Sequence, residues 1–118
     1  MTVIKTAAQG ILFEVNIMAR STKKSNCNMY KAVLTLKDAR EAREFFEDVC
    51  SLSELKSMEQ RYEVAEMLSE EKVYTEIMDK TGASSATVSR VKRMLFYGTG
   101  CLNKVIKRLK AEDAAASE

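Results

Sequence analysis

The chain of 118 residues contains no proline and only four glycines, and this shortage of chain-turning residues constrains its fold more than any other feature. It leaves few hairpin or tight-turn signals, so β architectures are disfavoured and helices joined by short polar turns are expected. At this length one domain with one modest core is expected. Hydrophobic residues at 46% and charged residues at 31% place that domain among soluble globular chains rather than disordered ones.

Apolar spacing predicts where the helices lie. Met29, Tyr30, Val33 and Leu34 recur at helical spacing between Met29 and Leu36. Asp38 with Glu41 reads as an N-cap followed by a carboxylate in the first turn. Ala39, Ala42, Phe45, Phe46 and Val49 then form an apolar stripe, predicting a core helix. Ser51 and Glu54 repeat the capping signature, and Leu52, Leu55, Met58, Tyr62, Ala65 and Leu68 carry a third helix to about Glu70. A short helix from Tyr74 to Thr81 is closed by Gly82 but lacks a good cap, because Val73 cannot accept a hydrogen bond. Another starts at Ser84 or Ser85 and runs to Tyr97. A last one carries Leu102, Val105, Ile106 and Leu109.

Residues 1–28 are expected to be a flexible extension, with Arg20, Lys23 and Lys24 in a basic arm able to touch phosphates. Met18 offers a second translation start. Residues 111–118, small and acidic, are expected to be a frayed, disordered tail. The first eighteen residues are too interrupted for a signal peptide, and nothing approaches a membrane span. The cytoplasm is the expected compartment. Cys27, Cys50 and Cys101 are widely spaced, and there is no histidine. Buried or half-buried free thiols and no metal site are expected. Without histidine, paired carboxylates in an apolar setting or a glycine-rich phosphate loop, no enzyme is expected.

Charge is unevenly distributed. Residues 37–71 hold five basic and eleven acidic side chains, a net of −6, whereas residues 73–110 hold eight basic and two acidic, a net of +6. A basic half beside an acidic half suggests one face for a polyanion. Within the basic half, YTEIMDKTGASSATVSRV (74–91) has the spacing of a helix-turn-helix: Ile77, Val88 and Val91 form a joint core, Gly82 turns the backbone and Ala83 plugs the apex. Ser84, Ser85, Ala86, Thr87 and Ser89 would then sit at the tip of the second helix, small enough to enter a major groove. Arg90, Lys92 and Arg93 follow, within reach of the flanking phosphates. The expected partner is double-stranded DNA. The alternative is a helix-turn-helix module for protein or RNA contacts without operator specificity. A lack of exposed aromatic platforms is expected to disfavour single-stranded RNA.

The segments MYKAVLTL, FFEDVCSLSELKSMEQRYEVAEML and YTEIMDKTGASSATVSRVKRMLFYG resemble the Trp-repressor-related YerC/YecD family over Met29 to Leu109. The resemblance implies an all-α, TrpR-like domain of six helices over residues 29–110. It further implies an intertwined homodimer with paired reading heads and a regulatory, repressor-type role. Trp repressors hold tryptophan between two arginines at positions similar to Arg61 and Arg90, and Ser51 matches a threonine near that pocket. These three are the candidate effector residues. Val91, however, stands where Trp repressors keep a glycine beside the indole, and the loop before Tyr74 is one residue shorter. Arg61 is expected to pair instead with Glu63 or Glu66. No cofactor is expected; a small-molecule corepressor is compatible with the resemblance, its identity open, and tryptophan is not the expected one.

Overall fold

The computed structural model describes residues 25–117. The expected flexible extension lies outside them except for residues 25–28, a non-helical lead into the first helix. Six α-helices follow and no strand occurs among the described residues: α1 (Met29–Val33), α2 (Ala39–Val49), α3 (Leu52–Ser69), α4 (Tyr74–Thr81), α5 (Ser85–Tyr97) and α6 (Cys101–Ala116).

The caps read from sequence are formed. Asp38 accepts the Glu41 N–H at 2.8 Å, and Glu41 reaches back to the Lys37 N–H at 2.8 Å. Ser51 and Glu54 form a reciprocal capping box at the start of α3. The two hydrogen bonds from Ser51 hold the Glu54 carboxyl below the usual carboxylate range. At the other end of α3 the Glu71 N–H donates to the Leu68 carbonyl at 3.0 Å and the Lys72 N–H to the Met67 carbonyl at 3.1 Å. That pairing needs a left-handed residue, and Glu71 supplies it with φ 60. A side chain in that conformation costs about 1 kcal/mol.

Two boundaries differ from expectation. Helix α1 stops at Val33 rather than Leu36, where the Thr35 hydroxyl turns back to the Ala32 carbonyl at 2.7 Å and competes with helix continuation. Helix α6 runs on through Ala116 instead of stopping near Lys110. Its last turns are alanine-rich and hold no breaker.

The core is built by the C-terminal half of the chain. Val64, Ala65, Ile77, Ala83, Val88, Val91, Leu95 and Ile106 are buried and form one cluster. Helix α3 is the hub, packing against α4, α5 and α6, and touching α2 near its start. Burial of Tyr62 and the neighbouring Glu66 carboxylate push the Tyr62 phenol up from its ordinary value. Lys110 ties α6 to α3 through the Ser69 hydroxyl at 2.8 Å and Glu70 at 3.7 Å. Helix α2, expected to be a core helix, buries no residue in this chain. Phe45 and Phe46 meet edge to face at 5.2 Å and are only half-buried, while Val49 and Leu52 are exposed.

Cys50 is half-buried as expected, but Cys27 and Cys101 are exposed. Both lie next to solvent-facing turns outside the core cluster. No group of metal-ligating side chains occurs among the described residues.

Candidate nucleic-acid interface

The turn between α4 and α5 is fixed by hydrogen bonds that leave little freedom to the second helix. Gly82 has φ 75 and donates its N–H to the Met78 carbonyl at 2.9 Å. A glycine meets this need without the strain a side chain would add. The Thr81 hydroxyl donates to the Ile77 carbonyl at 2.7 Å and accepts the Ala83 N–H at 3.1 Å. Gln60 on α3 donates to the Thr81 carbonyl at 3.1 Å, tying the turn to the hub helix. Ala83 is 4% exposed and fills the apex. Thr81 and Gln60 were not singled out from sequence; the only available cue was a threonine immediately before the turn glycine, and Gln60 carried none.

Ser84 caps α5. Its oxygen accepts the Thr87 N–H at 3.1 Å, and its hydroxyl lies 3.2 Å from Thr87 Oγ1, donating to it. That arrangement leaves the Thr87 hydroxyl hydrogen free to donate elsewhere. Ser85 and Ala86 are exposed in the first turn, Thr87 and Ser89 half-buried and Arg90 exposed. Val88, Val91 and Leu95 face the core, so at 100° per residue Ala86, Ser89, Arg90 and Arg93 fall on the outward side. Lys92 sits nearer the flank, its ammonium 5.8 Å from the centroid of the Tyr74 ring. Arg93 is half-buried and has an interaction within the protein. No acidic side chain interrupts α5. The helix therefore offers a free N-terminal end, a preset hydroxyl donor and a cationic strip with small residues beside it.

Besides Tyr30, which is 63% exposed on α1, two aromatic residues at the end of α5 were missed as surface groups. Phe96 is 69% and Tyr97 51% exposed, next to Lys92 and Arg93, so the expected lack of exposed aromatic platforms does not hold. Helical phase carries the signal, since both fall off the face of Val88, Val91 and Leu95.

The three candidate effector residues are not gathered into one pocket. Ser51 spends its hydroxyl on capping α3. Arg61 is exposed, and no ion pair to Glu63 or Glu66 forms among the described residues; Glu66 faces the Tyr62 hydroxyl instead. Arg61 lines two cavities, one of about 510 Å³ beside Cys50 and Ser57 and one of about 310 Å³ beside Val91 and Met94, whereas Ser51 and Arg90 line neither. Val91 is 1% exposed, and its branched side chain is part of the wall.

The chain is similar to known proteins in sequence and fold. Over 89 residues the chain is 43% identical to the uncharacterized protein YerC of Bacillus subtilis (strain 168), covering 75% of this chain and 86% of that protein. A TrpR-like protein from Eubacterium eligens superposes with a TM-score of 0.67 at 51% identity, over 70% of this chain and 86% of that one. The structure of a proposed Trp repressor from Staphylococcus aureus gives a TM-score of 0.67 at 37% identity, over 70% and 83%. The family model described as Trp repressor protein matches residues 25–110, nearly the whole of the described chain, and the protein belongs to that family.

Proposed function

We propose that this protein is a sequence-specific, double-stranded DNA-binding transcriptional regulator of the repressor type. The observation that carries the reading is the exposed N-terminal end of α5. There Ser85, Ala86 and the Thr87 donor stand ahead of Arg90, within a half of the chain whose net charge is +6. A helix end that is narrow and hydroxyl-bearing fits a major groove, and cations behind it meet phosphates. The names of the structural neighbours, one TrpR-like and one a proposed Trp repressor, support the same reading. No helix among the described residues is long and apolar enough to cross a membrane, and a DNA-binding role puts the protein in the cytoplasm. Titration of duplex DNA and of RNA at two salt concentrations tests the proposal. Duplex affinity should fall steeply with salt, and footprinting should give discrete sites. Equal binding of RNA and scrambled duplex would favour the interaction-module alternative.

The working form is proposed to be a homodimer. Helices α1 and α2 bury no residue in the single chain. Leu34 is 85%, Leu52 71% and Val49 54% exposed, an apolar surface that calls for a cover. Light scattering should give twice the 13.3 kDa of the chain; a stable folded monomer at micromolar concentration rules the dimer out.

Tryptophan is not proposed as the effector. Val91 at the 310 Å³ cavity supports this, because a branched side chain takes space that an indole needs. Saturating tryptophan should leave Tm unchanged. Binding at about 100 times Kd would add roughly 2.7 kcal/mol, so a Tm rise of several degrees decides against the proposal.

A further inference from the structure

A further cavity, lined by other residues of α5 than the Arg61 cavities, has the chemistry of a small-molecule site. Its volume is about 720 Å³, within the usual range for ligand pockets. It opens between the end of α3, the start of α4, α5 and α6. The floor is apolar, with Leu68, Leu95 and Ile106, of which Ile106 is 1% and Leu95 8% exposed, and the exposed Phe96 ring stands at the rim. Four lysines stand on the wall with Glu71, and two of them are already engaged, Lys110 with Glu70 and Ser69 and Lys72 with Glu76, which leaves Lys92 and Lys107 without a carboxylate partner among the described residues. Lys72 reaches Glu76 only at 3.8 Å, and Lys107 makes no hydrogen bond or ion pair among the described residues. The Lys92 ammonium lies over the Tyr74 ring, 5.8 Å from its centroid.

We propose that this cavity binds a small aromatic anion, its ring on Leu95, Phe96 and Ile106 and its charge between Lys92 and Lys107. An uncharged aromatic molecule would leave Lys92 and Lys107 without a counter-charge, and a bare inorganic anion would leave the floor wet; a ligand with both parts matches both surfaces. The site touches the reading helix through Lys92, Leu95 and Phe96, so a bound anion bears on the position of α5 relative to α3 and α6. In that regulatory sense the inference rests on the DNA-binding reading, but binding itself does not.

The test uses the full chain and two fluorescent probes of similar aromatic body, 8-anilinonaphthalene-1-sulfonate and the uncharged N-phenyl-1-naphthylamine. The sulfonate should bind at one site per chain and more tightly than the neutral probe. Lys107→Glu and Phe96→Ala, both at exposed positions, should each weaken the sulfonate, Lys107→Glu by about tenfold. Arg61→Glu, at the other cavities, should leave it unchanged. Equal binding of the two probes, or sulfonate affinity that follows Arg61→Glu and ignores Lys107→Glu, overturns the proposal. Probe binding is read without DNA, so a protein that binds the sulfonate as described yet ignores duplex DNA counts against the DNA-binding reading alone.

Discussion

Ile77→Ala is expected to remove about 2–5 kcal/mol of stability, a large part of the ~5–15 kcal/mol that holds a domain of this kind folded. Ile77 is fully buried at the junction of α4 with the rest of the core, and its neighbours there include the equally buried Val64 and Val88. Truncation opens a cavity that these neighbours cannot close, because the turn beside it is pinned by Thr81 and Gln60. The loss should appear as a lower urea midpoint with an unchanged slope, measured at matched protein concentration because the stability of the proposed dimer would depend on it. Duplex binding should fall with the folded fraction, since α4 sets the angle of α5. Phe96→Ala, at a 69% exposed position, provides the contrast and should shift the midpoint little. A change below 1 kcal/mol for Ile77→Ala would mean that the helix pair is not anchored where the structure anchors it.

The helix-turn-helix was legible because its cues are local. Gly82 marks the turn, Ser84 the cap, and Ile77, Val88 and Val91 repeat at the spacing that two crossing helices need; all three are fully or almost fully buried. The hub helix was less legible. A single stripe through Leu52, Met58 and Ala65 predicted one buried face, yet Val64 is fully buried whereas Leu52 is 71% exposed. Helix α3 carries apolar residues on more than one side: its C-terminal half serves the chain's own core, and its start turns a different face towards α2. Periodicity cannot separate two such faces within 18 residues, because it registers that a residue is apolar and not what covers it. The same limit explains α2, whose stripe is only half-covered by α3 within the chain. Effector chemistry was least legible. Ser51, Arg61 and Arg90 came from resemblance, and the side chains stand apart in the single chain. The lysine-walled cavity draws its residues from four helices and could not be assembled from any one segment.

The division of labour along α5 gives the sharpest functional outcome. The Thr87 hydroxyl is held by Ser84 so that its hydrogen is free to donate, and the acceptors in a major groove are guanine N7 and O6, adenine N7 and thymine O4. Thr87→Ala is therefore expected to cost about 1–3 kcal/mol at the preferred site and little on scrambled duplex. Its backbone N–H still reaches Ser84 Oγ, so the helix cap survives, and Thr87→Ser should restore most of the loss. Arg90 is exposed one turn behind Thr87, and on the proposed reading it meets phosphates. Arg90→Ala should weaken specific and scrambled duplexes alike and flatten the log–log salt dependence by roughly one unit. Arg93 has an interaction inside the protein, so Arg93→Ala should add a loss of stability to any loss of binding. Affinity on both duplexes across a salt series, with a thermal melt for each variant, separates these effects. The assignment of α5 as the reading element fails if Thr87→Ala weakens both duplexes equally while its melting temperature is unchanged, or if neither Thr87→Ala nor Arg90→Ala alters binding.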